Sequence, residues 1–282
     1  MRLDKDYLLE MELWSHFEMR GLGHESVGTT PEAQPPVRPA PVSSPAAAAG
    51  ASRAVAGPAL TSPAAGSSTS KPPLVVAKQV KADAAVPVDP ARLERISQAD
   101  WPTLAEISTN CTACTLCKQR KQVVFGVGAQ SAHWLFIGEG PGAEEDQTGE
   151  PFVGQAGKLL DAMLVAAGLQ RGREVYIANV VKCRPPGNRT PLPEEAAACA
   201  PLLDRQIDLI RPKIIVALGK TAITRLTGSE AAMAAVRGRV HTYRNIPVIA
   251  TYHPAYLLRN LPEKLKAWED LQLAKQTLAG GL

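Results

Sequence analysis

The chain of 282 residues and 30.0 kDa has room for one large domain or two small ones, but its composition argues for less. Half of its 24 prolines lie between Pro31 and Pro90 among runs of Ala, Ser and Gly, a stretch that cannot build a packed core. No apolar run approaches the roughly 18 residues of a membrane span, and Asp4, Asp6, Glu10 and Glu12 interrupt any leader-like segment at the start. No membrane association and a cytoplasmic location are therefore expected, and there five cysteines favour metal ligation over disulfides. A net charge of +4 and a pI near 8.8 permit a polyanionic partner without demanding one.

In chain order, residues 1–22 read as a short amphipathic helix, with Tyr7, Leu8, Met11, Trp14 and Phe17 on one face. Such a helix either packs on its own domain or docks residues 4–19 on a protein partner. Residues 23–95 read as a disordered Pro/Ala/Ser-rich linker, a long extension whose only evident property is reach. Residues 96–282 change pattern. Short apolar runs at 134–137 (WLFI), 175–181, 214–218 and 247–251 predict strands, and 157–167, 194–210, 220–226 and 263–277 predict helices. This alternation predicts an α/β domain: a doubly wound, mainly parallel four-stranded sheet flanked by helices.

In such sheets ligands bind beyond the carboxyl ends of the strands, and the chemically distinctive residues fall there. The glycine turn of residues 138–142 (GEGPG) follows the first predicted strand, Asn179 lies near the end of the second, Gly219-Lys220 follows the third, and His253-Pro254 follows the fourth. A glycine turn exposes N–H groups that hold an oxygen or developing anion, or serves chain geometry alone. It lacks the Lys-Ser/Thr ending of a Walker loop and the third glycine of a dinucleotide fingerprint. Phe152, in a loop among glycines, reads either as a lid on the core or as a stacking face for a flat base. Cys111, Cys114, Cys183 and Cys199 can form a four-sulfur site; their spacing leaves zinc and an iron–sulfur cluster equally open, with Cys117 surplus. Leu257, Leu258 and Arg259 follow His253 either as an exposed DNA-contacting loop, leucine wedging and arginine on phosphate, or as a helix start with core leucines. Lys118, Arg120, Lys121, Arg184 and Arg189 are either a phosphate track or a solvated face.

Taken together, GEGPGAEEDQTGEPFVGQAGKLLD, NVVKCRPPGNRTPLPEEAAAC and HPAYLLR, in that order, strongly resemble the family 4 uracil-DNA glycosylases of bacteria and archaea. The likeness runs from about Asn110 to the C-terminus and includes the NCTAC start and the sixteen-residue step from Cys183 to Cys199. It implies a uracil-DNA glycosylase-like catalytic domain over residues 96–282 that hydrolyses the N-glycosidic bond of deoxyuridine in single- or double-stranded DNA and leaves an abasic site. It implies a structural [4Fe–4S] cluster on Cys111, Cys114, Cys183 and Cys199, with Cys117 a departure from the family pattern. By that resemblance uracil contacts fall on Gly138, Glu139, Gly140, Phe152, Asn179 and His253, and thymine exclusion on Glu144; the catalytic roles go to His253 and to Glu139, the nearest carboxylate, which either orients water and stabilises the cationic sugar or only braces the loop. The inserted basic segment of the covalent-trapping subgroup is absent from CRPPGNRTPLPEE, so hydrolytic release by a monomer is expected. Two other readings stay open: a non-catalytic nucleic-acid-binding module stapled by its metal cluster, and a magnesium-dependent nucleotide enzyme holding phosphate in the GEGPG turn.

Overall fold

The computed structural model describes residues 89–280 of the chain; the expected helix of residues 1–22 and most of the expected linker lie outside the described residues. Described helical structure is already present before the expected boundary at residue 96. Helix α1 (Pro90–Gln98) occupies the last part of the stretch expected to be disordered, because Asp89 accepts a hydrogen bond from the Ala91 N–H at 3.0 Å and Pro90 suits the first helical turn. Helix α2 (Trp101–Thr109) begins in the same way, with the Asp100 carboxylate accepting from the Thr103 N–H at 3.0 Å and a proline in its first turn.

The four expected parallel strands are β2 (Trp134–Gly138), β3 (Val175–Asn179), β4 (Ile214–Leu218) and β6 (Ile246–Thr251). The sheet has six strands rather than four. Two short antiparallel strands, β1 (Val127–Gly128) and β5 (Val240–Tyr243), close its edges in the order β1-β3-β2-β4-β6-β5. β5 and β6 form a hairpin whose two turn residues, Arg244 and Asn245, both have positive φ (49° and 65°), as a tight turn matched to the strand twist requires.

Every residue of β2, β3 and β4 is buried, which explains why these strands read as unbroken apolar runs. Alternate residues serve two cores. Trp134, Phe136, Val175, Ile177, Ile214 and Val216 face α4 (Gln155–Ala166), α8 (Pro254–Leu257) and α9 (Lys264–Gly280). Leu135, Ile137, Tyr176, Ala178, Ile215 and Ala217 face α1, α2, α5 (Pro193–Ile210) and α6 (Lys220–Thr227). The remaining helices are short: α3 (Ala143–Thr148) after the glycine turn and α7 (Met233–Val236) before β5. From β2 the chain passes to β3 on one side and then to β4 on the other, so the carboxyl end of β2 is the point where the winding reverses.

Leu257 does not reach a DNA-facing surface. Its side chain is fully buried in the core beneath α8, among residues that include Phe152 and Trp268, while Tyr256 and Leu258 are the exposed neighbours. Adjacent positions on a helix point about 100° apart, so on this single turn the core claims Leu257 and leaves its neighbours outside. Leu257→Ala is therefore expected to lower unfolding stability by about 2–5 kcal/mol in urea titration, the loss typical of a buried leucine.

Candidate active site

At the switch point a cleft of about 540 Å³ opens beyond the carboxyl ends of the strands. Its walls are the glycine turn after β2, the Phe152 loop, Asn179 at the end of β3, Gly219 after β4, and His253 to Arg259 after β6. Five separate segments of sequence thus meet at one concave surface.

The tightest convergence is at Gly138. A Cβ built on this residue would collide with the Asn179 Oδ1 atom and stand 2.6 Å from the Phe152 ring, so a bare backbone lets both side chains sit over the end of β2. The carbonyls of Gly138 and Glu139 accept from the Val180 and Val181 N–H groups at 2.9 and 3.2 Å, extending the β2–β3 pairing into the turn. Asn179 is buried, and its Oδ1 has no hydrogen-bond partner among the described residues. Its backbone carbonyl accepts from the Lys182 Nζ at 3.0 Å. Phe152 adopts a left-handed conformation (φ 56°), unusual for a bulky residue, and its ring stacks against the His253 imidazole with centroids 5.5 Å apart.

His253 caps α8. Its Nδ1 accepts from the Ala255 N–H at 3.2 Å, which assigns the remaining imidazole proton to Nε2. Burial, and then the nearby positive charge of Arg259, pushes its pKa down to about 4, so the ring is a neutral hydrogen-bond donor at neutral pH. Glu139 lines the cleft and accepts a hydrogen bond from the Thr221 hydroxyl on α6. Gly140, the exposed Glu144 and the exposed Arg259 also line it. Gly138, Phe152, Asn179 and His253 are therefore brought together, whereas Leu257 is not.

Sequence reasoning missed Glu145. Its carboxylate accepts from the N–H groups of Gly142, Val153 and Gly154 at 3.0–3.1 Å and so ties the glycine turn to the Phe152 loop. The only signal was the spacing of a capping box at the start of α3, with the glutamate three residues past Gly142.

All five cysteines line another, small cavity. Arg92 donates to the Cys111 Sγ at 3.4 Å, Arg120 to the Cys183 Sγ at 3.3 Å, and the Lys182 N–H to the Cys199 Sγ at 3.3 Å. Burial pushes the Cys199 thiol up to about 12 and raises Cys114 and Cys183 as well. Among the described residues no group of three or more His, Cys, Asp or Glu side chains is drawn together as ligands of a metal ion. Arg120 also donates to the carbonyls of Thr109 and Cys111, and Arg189, which lines the cleft, pairs with the buried Glu195.

The sequence of residues 125–272 matches the model of the Uracil DNA glycosylase superfamily. A type-4 uracil-DNA glycosylase of Thermotoga maritima is 48% identical over 176 residues, 61% of this chain and 91% of that protein. Those of Archaeoglobus fulgidus (47% over 157 residues, 53% and 78%) and Pyrobaculum aerophilum (44% over 182 residues, 62% and 92%) are close behind. The chain belongs to the type-4 uracil-DNA glycosylases. It is a hydrolase of DNA repair, and the cleft described above is the place in this glycosylase where glycine turn, aromatic ring, amide and imidazole meet. Because burial lowers the His253 pKa, the folded protein resists protonation there. Stability from this group is complete above its ordinary value of 6.5 and is lost as pH falls toward 4. NMR titration is expected to show the imidazole changing state near 4, with the proton on Nε2 above it, and urea unfolding is expected to weaken over that same interval.

Proposed function

We propose that the cleft receives a deoxyuridine rotated out of the DNA stack, reads its edge with Asn179, and releases uracil by hydrolysis to leave an abasic site. The observation that carries this reading is the buried, unpaired Asn179 Oδ1 beside the Phe152 ring. Uracil offers an N3–H donor and an O4 acceptor on one edge, which an amide side chain matches with its oxygen and its NH₂ group. Cytosine presents the reverse pattern, leaving buried groups unpaired at about 1–3 kcal/mol each. Phe152 supplies the face contact, and Glu144, at the rim beside Gly154, stands where a C5 methyl is to be refused.

When the N1–C1′ bond breaks, its electron pair goes to uracil and the sugar becomes cationic. The neutral His253, donating from Nε2, stabilises charge building on uracil O2, together with the backbone of residues 138–140. Glu139, held by Thr221, faces the cationic sugar and orients the water that adds to C1′, the proton of that water leaving with solvent or uracil. Arg259, exposed at the rim, contacts phosphate.

The chemistry of the donor set supports a [4Fe–4S] cluster on Cys111, Cys114, Cys183 and Cys199, since such clusters are held by cysteine thiolates and tuned by hydrogen bonds to sulfur like those from Arg92, Arg120 and Lys182. Bound there, the cluster supplies cross-linking of the chain rather than chemistry on the base.

A uracil-containing oligonucleotide, treated with the enzyme in EDTA and then with alkali, is expected to be cut. Asn179→Ala is expected to slow single-turnover excision by about 10- to 100-fold, the loss of one or two buried hydrogen bonds; an unchanged rate would remove this account of base reading. Cys199→Ser is expected to lose iron and sulfide on analysis of the purified protein, whereas Cys117→Ser keeps them.

A further inference from the structure

Phe152 holds a backbone conformation that a phenylalanine does not choose by itself, and one of the residues that hold it, Arg171, lies outside the cleft. Arg171, in the loop between α4 and β3, donates from Nη1 to the Pro151 carbonyl and from Nη2 to the Phe152 carbonyl, each at 2.9 Å. Its Nε donates to the Asp161 carboxylate at 2.8 Å, which fixes the plane of the guanidinium. The peptide that follows Phe152 is thus gripped at both ends: its carbonyl by Arg171 and its N–H by Glu145. Helix α4 presses on the same carbonyl, for a Cβ at Gly157 would run into it. A flip of the peptide before Phe152 is the simplest route by which it escapes its left-handed φ, and that flip would break the hydrogen bond from Arg171 to the Pro151 carbonyl.

We propose that Arg171 is a positioning residue for uracil excision, acting through Phe152 by locking the loop that presents the ring to the extruded base. A guanidinium suits the task because its planar fork reaches two successive carbonyls at once, which an ammonium on a flexible stem does not. The proposal rests on the stacking role of Phe152 given above and adds to it a residue that touches neither base nor DNA backbone.

A double-mutant cycle in the full chain tests it, with excision of uracil from an oligonucleotide followed under single-turnover conditions for Arg171→Ala, Phe152→Ala and the pair. Phe152→Ala is expected to slow excision about 10- to 100-fold, and Arg171→Ala about tenfold or more by misplacing the ring. The double variant is expected to be no slower than Phe152→Ala within about twofold, since a residue acting through another adds nothing once that other is gone. The loss is expected in the maximal rate, with the half-saturating DNA concentration unchanged, and with weaker inhibition by free uracil. Multiplying losses, a wild-type rate in Arg171→Ala, or a change confined to half-saturation would overturn the proposal and leave the stacking role intact. A wild-type rate in Phe152→Ala would overturn the stacking role, and this proposal with it. Arg171→Lys keeps the charge without the fork; it is expected to follow Arg171→Ala and replaces it in the cycle if the alanine variant does not fold.

Discussion

The site depends on close approach at glycine. Gly138 ends the central strand with nothing on its α-carbon, and the volume a side chain would fill is where Asn179 and Phe152 come together. Gly157 does the same at the first turn of α4, letting the helix close on the Phe152 carbonyl. Both contacts are too short for any Cβ. The strand order brings these segments to one place, because β2 lies between β3 and β4 and its carboxyl end is where the winding reverses. The sheet thus sets where the cleft is, and the two glycines set how narrow it is.

Polar groups then fix what the glycines allow to meet. The Glu145 carboxylate collects three N–H groups from two loops, and Arg171 collects two carbonyls from one of them. Loop backbone near a cleft cannot join a strand ladder, so its hydrogen-bonding groups need other partners. Here charged side chains provide them, and charge-assisted bonds are the stronger kind. A left-handed Phe152, unfavourable by about 1–3 kcal/mol taken alone, persists because several such bonds would be lost on relaxing it.

How legible this was from sequence follows from the range of each interaction. The four parallel strands announce themselves as apolar runs because both faces are buried, and glycine turn, amide and histidine stand at strand ends where an α/β sheet binds ligands. The edge strands do not: β1 is two residues long, and β5 places His241 and Thr242 among its apolar residues, so neither carries a periodic signal. Helix α1 begins with Pro90 and continues a proline-rich stretch, which hid the capping aspartate ahead of it. Leu257 and Leu258 are chemically alike, and only the packing of a four-residue helix decides that the first is core and the second exposed. Arg171 pairs with carbonyls 19 and 20 positions away, and backbone carbonyls carry no sequence signature at all.

The stretch from Asn179 to Cys183 joins the cleft to the cysteine cavity in five residues. Lys182 is wholly buried and folds back so that its ammonium holds the Asn179 carbonyl, while its own N–H donates to the Cys199 sulfur. Burial pushes its pKa down to about 8, opposed by the adjacent Cys199, so it sits where a charge is tolerated only beside an acceptor or a thiolate. A buried lysine is an expensive way to hold one carbonyl if nothing negative lies nearby. Thiolates bound to a metal cluster would provide that charge, whereas thiols raised by burial would not. On the proposed ligand set, a cluster would stabilise the lysine, and the lysine holds the end of β3, which carries the amide proposed to read the base. On that reading the link from cysteine to cleft is carried by the two hydrogen bonds of Lys182.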